Sequence, residues 1–290
     1  MSGAEKGAGQ TGMPVPEQNG DLGPSVGIIV GGGGLPLALS KALPSAYCVA
    51  FQGADVAVPE TRLERFRIEK LGGVFEALHG ANITQVVMAG AMTRPALDPS
   101  ALDPMMMSLA PRILGAMQGG DDALLRLVVT IFEEQGFEVL GVHQFLPDLT
   151  ARPGVLVGQA PTPGQTSDIA RGRAILDALG PVDVGQGCVV ANGLCLGVET
   201  LQGTDAMLGF VKGTPAQLRS KPGGVLVKQP KPGQDLRVDM PAIGPDTIRA
   251  AAAAGLDGIA IAAGAVVLIE RPRLIEQAKA LGMFVIADKV

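Results

Sequence analysis

The densest gathering of chemically useful side chains lies late in the chain, at Lys228–Gln229–Pro230–Lys231–Pro232–Gly233–Gln234–Asp235–Leu236–Arg237–Val238–Asp239, with two lysines, an arginine and two aspartates. Alternation along Leu236–Asp239 predicts a short strand with Arg237 and Asp239 on one polar face, opposite Leu236 and Val238. Such a face brings a cation and an anion together, an arrangement a catalytic site can use. A solvated edge strand with a surface ion pair would use the same residues. A second segment, Gly31–Gly32–Gly33–Gly34–Leu35–Pro36, follows an apolar run and precedes a helix pattern. Glycines there let the backbone approach a phosphate, and a helix N-terminus adds free N–H groups. A ligand-free strand-to-helix turn is the competing reading.

Three further segments have two readings each. In Met88–Ala89–Gly90–Ala91–Met92–Thr93–Arg94–Pro95, at the end of another apolar run, Gly90 permits close approach and Thr93 and Arg94 are candidate phosphate contacts; a polar loop exit explains them equally. In Gly119–Gly120–Asp121–Asp122, Asp122 is either a ligand or a partner of the helix dipole. In Gly203–Thr204–Asp205, the side chains either cap the next helix or supply a phosphate contact from Thr204 and a metal contact from Asp205.

Absences narrow the chemistry. His79 and His143 lie far apart, and no H-E-x-x-H or Cys/His cluster suggests zinc. Neither a G-x-S-x-G elbow nor a P-loop is present. Pro36 stands where the dinucleotide fingerprint needs its third glycine, and Asp55 falls past the apparent end of the second strand. A nicotinamide or flavin oxidoreductase is therefore disfavoured. Any metal held by aspartate oxygens would be magnesium or manganese.

The elements that must position these residues follow from hydrophobic periodicity. Strands are predicted at Val26–Val30, Ala46–Phe51, Gln85–Met88 and Glu138–Val142, with helices at Leu35–Leu43, Gly72–His79, Met107–Met117 and Asp121–Gln135. This alternation predicts a Rossmann-like parallel-sheet domain over 25–150. Residues 1–24 read as a disordered tail, and 151–166, with three prolines and three glycines, as a linker. A C-terminal mixed α/β domain is expected over 167–290. Its predicted elements are a helix at Ser167–Leu179, a hairpin around Asn192–Gly193, and strands at Val225–Val227, Leu236–Val238, Gly258–Ile261, Val266–Ile269 and Met283–Ile286. Helices are expected at Pro245–Ala254 and Pro272–Leu281.

Composition sets the surroundings. A net charge of -5 and 3% aromatics, with no Trp, argue against nucleic acid as a partner. The tail has no apolar signal-peptide region, and Ala251–Ile269 is interrupted by Asp257 and glycines, so a cytoplasmic protein without a membrane span is expected. The predicted hairpin puts Cys188 diagonal to Cys195, which permits a disulfide, but reduced buried thiols suit the cytosol.

Taken together, GIIVGGGGLPL, QVVMAGAMTRP, GDDALLRLVV, EEQGFEVLGVHQFLPDL, VETLQGTDAML and GGVLVKQPKPGQDLRVDMPAIGPDTI resemble the LpxI family of UDP-2,3-diacylglucosamine pyrophosphatases. The resemblance implies a two-domain enzyme that cuts UDP-2,3-diacylglucosamine into 2,3-diacylglucosamine 1-phosphate (lipid X) and UMP. Water attacks the α-phosphorus, and Mg2+ or Mn2+ is required. The family's essential aspartate falls on Asp239. Gly32, Gly33, Gly34 and Leu35 fall near the nucleotide, and Gln186, Thr204, Asp205 and Lys228 line the cleft. Gly90, Thr93, Arg94, Asp122 and Arg237 complete the expected substrate-binding set. The chain departs from the family at Gly73, where a lysine is frequent. A diacylated substrate implies peripheral contact with the inner-leaflet membrane surface, for which Met105–Met106–Met107 and Leu109 are candidates if they are not core. Homo-oligomerisation stays open, as does a non-catalytic nucleotide-sugar or lipid-binding module.

Overall fold

The structure, a computed structural model, describes residues 25–92, 97–118, 121–219 and 221–289. The tail expected over 1–24 lies outside the described residues. The N-terminal half runs β1 (Ser25–Val30), α1 (Leu35–Ala42), β2 (Tyr47–Phe51), β3 (Leu63–Phe66), α2 (Leu71–Gly80), β4 (Ile83–Ala89), α3 (Pro104–Gln118), α4 (Asp121–Glu134), β5 (Glu138–Leu140) and α5 (Val142–Phe145). Its five strands form one sheet in the order β3-β2-β1-β4-β5, all parallel. The central strands β1, β2 and β4 are largely buried on both faces, which is why they read as apolar runs. Ile28 and Val30 point into one core cluster with Leu39, and Ile29 into the other with Val74 and Phe75.

The C-terminal half runs β6 (Gly154–Val157), α6 (Pro163–Leu179), β7 (Gly187–Ala191), β8 (Leu194–Val198), α7 (Gly203–Lys212), β9 (Val225–Lys228), β10 (Ala242–Ile243), α8 (Pro245–Ala253), β11 (Gly258–Ala262), β12 (Val267–Leu268), α9 (Arg271–Ala280) and β13 (Phe284–Asp288). Six of its strands form a mixed sheet in the order β6-β13-β11-β9-β7-β8, with β13, β11 and β9 parallel. The hairpin forms as read, with Val190 opposite Cys195 and Asn192 and Gly193 at positive φ. Its turn N–H groups donate to the buried Asp168 carboxylate at 2.9 and 2.7 Å. All three cysteines are free; Cys188 is buried, Cys195 is exposed, and their sulfurs lie 3.8 Å apart.

Three expectations are corrected. Residues 151–166 are structured: β6 pairs with the edge of β13, and α6 begins four residues earlier than expected, at Pro163. Thr162 and Gln165 close a reciprocal capping box there, a start signal hidden among prolines and glycines. The strand expected at Leu236–Val238 is a turn. The chain after Leu140 becomes a short helix at Val142 instead of extending β5.

The doubly wound order reverses between β1 and β4, so their carboxyl ends open the crevice where ligands of such sheets bind. The glycine turn and Gly90 stand at that point. Gly31 and Gly32 donate to the carbonyls of Ala89 and Ala91, tying the two strand exits together. A Cβ on Gly90, whose φ is +93, would lie 2.5 Å from the Gly32 carbonyl oxygen. Gly90→Ala should therefore lower the unfolding free energy by about 3 kcal/mol. Gly34, at φ -84 with open space around it, should tolerate Ala within about 0.5 kcal/mol. Urea unfolding of the two variants measures the difference.

Candidate active site

Pro230 and Pro232 stop the chain from continuing β9, because neither can donate to a ladder. Asp235 then shapes the turn that carries Arg237 and Asp239. Its Oδ1 accepts the Arg237 backbone N–H at 3.0 Å, and its carbonyl accepts the N–H groups of Val238 and Asp239 at 3.2 Å each. Local side-chain bonding of this kind competes with strand formation, which explains why alternation failed here. Arg237 therefore does not share a strand face with Asp239. Its Nε and Nη2 donate to Asp235 at 2.9 and 2.6 Å, and its Nη1 reaches Glu133 of α4 at 2.7 Å. These bonds raise the Arg237 pKa and hold the Asp235 carboxyl below its usual range, against some desolvation.

The turn belongs to the second half in sequence but rests on the first. Val238 packs against the core cluster that holds Phe75, Phe132 and Val139. The Arg237 Cα lies 3.4 Å from where a Cβ on Gly141 would stand. Next along the chain is Asp239, half-buried, whose Oδ2 accepts from Gln234 Nε2 at 2.5 Å and Gln186 Nε2 at 3.3 Å. Two neutral amide donors thus orient this carboxylate.

Gln186 precedes β7, and its carbonyl accepts the Gln229 N–H at 3.0 Å. Gly187 pairs with Lys228 across β7 and β9, so Gln186 and Lys228 meet at one sheet edge. The Lys228 side chain is only 5% exposed and bonds Glu199 at 3.2 Å and the Thr204 hydroxyl. Thr204 in turn donates to Glu199 at 3.0 Å. Thr204 therefore does not cap α7; the N-cap is Gln202, without a side-chain bond, and Asp205 is exposed in the first turn. Sequence reasoning missed Glu199 and Glu133. Neither stands in a recognisable motif, and only the fold supplies its basic partner.

Elsewhere the expected residues separate. Gly33 and Gly34 are exposed, and a Cβ at either would meet nothing within 4 Å, whereas Gly90 and Gly31 serve close packing. Thr93 and Arg94 lie outside the described residues. Asp122 pairs with Arg126 one turn along α4, and Arg126 also lowers the Asp235 pKa through its charge. Met106 and Leu109 are buried core, while Met107 is exposed. His143 lies beside the docked turn, its ring folded over Gly141, and its buried Nδ1 lacks a partner. Among the described residues no three His, Cys, Asp or Glu side chains cluster as a metal cage. Magnesium does not need one: it commonly takes one or two carboxylates and fills its octahedron with water and phosphate, and Asp239 fits that donor set.

The Asp235–Arg237 pair predicts a pH dependence. Because the folded pKa of Asp235 is depressed, its stabilisation is full above the unfolded value of about 4 and is lost as pH falls through the folded value. The stability difference between wild type and Asp235→Asn, followed by urea unfolding, should be constant near neutrality and shrink in acid. A difference that grows on acidification would contradict the pairing.

Comparison with known proteins bears on the whole chain. The family model for the LpxI N-terminal domain matches residues 25–149, and that for the LpxI C-terminal domain matches 152–286. The UDP-2,3-diacylglucosamine pyrophosphatase LpxI of Caulobacter vibrioides is 37% identical over 279 residues, spanning 90% of this chain and 96% of that protein. With both domain models matched in order and this degree of identity, the chain belongs to the LpxI family.

Proposed function

We propose that the chain hydrolyses UDP-2,3-diacylglucosamine to 2,3-diacylglucosamine 1-phosphate and UMP, within lipid A biosynthesis. The observation that carries the reading is Asp239, held by two glutamine amides on a turn lodged against the other half of the chain. The Caulobacter relative is named for this activity. The nicotinamide alternative is set aside, since the matched family runs through the glycine turn that suggested it.

In the proposed reaction Asp239 orients a water molecule toward the α-phosphorus. A bond forms from the water oxygen to that phosphorus, and the bond to the bridging oxygen breaks. The bridging oxygen leaves on the sugar 1-phosphate, and the water proton passes to the carboxylate or to solvent. The free N–H groups at Gly33, Gly34 and Leu35 suit the nucleotide's phosphate. Lys228 is neutralised by Glu199, so it acts mainly by fixing the sheet edge that presents Gln186. Arg237 holds the turn rather than reaching a phosphate. Magnesium or manganese, held by Asp239 with Asp205 as a second candidate, would supply Lewis-acid charge for the phosphoryl oxygens. The proposed setting is the cytosolic face of the inner membrane; among the described residues no helix is long and apolar enough to cross a membrane.

Asp239→Ala should fold like wild type yet release UMP at least about a hundredfold more slowly. Turnover near the wild-type rate would remove Asp239 from the reaction. EDTA should abolish UMP release and added magnesium restore it, whereas chelator-resistant turnover would exclude the metal. In oxygen-18 water the label should appear in UMP, and label in the sugar phosphate would move the attack to the other phosphorus.

A further inference from the structure

The outward side of α7 departs from the usual pattern of an amphipathic helix. Met207, Leu208 and Val211 face the core; the opposite side carries Asp205 and Lys212 at its two ends, with the apolar Ala206, Gly209 and Phe210 between them. Phe210 is 72% exposed, and Leu201, in the turn that leads into α7, is 93% exposed. No other large hydrophobic side chain among the described residues is as exposed as Leu201. Phe210 and the two neighbours of Leu201, Thr200 and Gln202, line a groove of about 280 Å³ together with Gly197, Val198, Ala206 and Met207. Nothing in the chain's own packing needs Leu201 or Phe210 in water. Burying either would be favourable, since apolar surface gains by leaving water.

The position of this surface says what covers it. Leu201 lies between Glu199 and Thr204, the two residues that grip Lys228 at the edge shared with Gln186. The turn that exposes Leu201 is thus anchored at both ends on residues of the candidate site. A substrate with two acyl chains is delivered from a bilayer, not from solution. We propose that the Leu201 turn and the Phe210 side of α7 form the membrane-docking surface of this protein, with the two side chains entering the acyl boundary of a phospholipid bilayer. The proposal rests on the lipid substrate named above. It differs from the expected contact through Met105–Met106–Met107 and Leu109, of which Met106 and Leu109 are buried while Met107 is exposed. A second exposed apolar set on α3, Met107 and Leu114, has no such link to the site and serves as the control.

Flotation with substrate-free vesicles of phosphatidylethanolamine and phosphatidylglycerol tests the surface independently of catalysis. Wild-type protein should float with the vesicles. Leu201→Asp combined with Phe210→Asp should reduce the bound fraction about tenfold or more, while the α3 control Leu114→Asp should float like wild type. Both side chains are already in solvent, so the double variant should melt like wild type and keep its activity on detergent-dispersed substrate. Wild type that never floats, a double variant that floats unchanged, or loss of flotation in the α3 control alone would each overturn the proposal. Absence of UMP release from detergent-dispersed substrate by a wild type that floats would instead defeat the hydrolase reading and leave the surface standing.

Discussion

The candidate site depends on one contact: a turn belonging to the C-terminal half docks on the N-terminal half. Val238 enters the first half's core cluster, and Arg237 bridges Asp235 and Glu133. The burial of Val238 holds the turn in place, whereas the Arg237–Glu133 pair, about half-exposed on its acidic side, adds direction more than energy. Asp239 follows Val238 directly, so the carboxylate's position is set by how the two halves meet. Neither half alone fixes it.

A second constraint is charge balance at the neighbouring sheet edge. Lys228 ends a strand whose other residues are fully buried, and a lone ammonium there would be costly to keep charged. Glu199 and Thr204 satisfy it. The network leaves Gln186 free to reach Asp239, and a Cβ on Gly187 would lie 2.5 Å from the Glu199 carboxylate that Lys228 and Thr204 hold in place. The same edge continues into the turn at Leu201, so the buried polar network and the exposed apolar surface are two sides of one short segment.

Much of the fold was legible because both sheets bury their central strands on two faces, which leaves continuous apolar runs such as Val26–Val30 and Gly258–Ile261. The hairpin was legible because Asn192–Gly193 suits positive φ at both turn positions. What hid from the sequence was long-range or locally competitive. β6 exists because β13 offers an edge more than 120 residues away, and its own glycine and proline neighbours argue for a loop. The Leu236–Val238 strand failed because Asp235 bonds the backbone two to four residues ahead of it. Of the candidate residues, Asp239, Gln186, Thr204 and Lys228 gather at one edge of the second sheet and the turn beside it, while the glycine turn occupies the switch point of the first. The partners of Arg237 and Thr204, Glu133 and Glu199, stayed hidden because they become neighbours only in the folded chain.

The docking contact is tested most directly by Val238→Ser, with Val238→Ile as its conservative partner, in steady-state assays of UMP release beside thermal melting. Ser should lower kcat about tenfold or more with KM little changed, melting should shift by only a few degrees, and Ile should restore the rate. A Ser variant with wild-type kcat would contradict the dependence, because Asp239 would then hold its place without the contact between the halves.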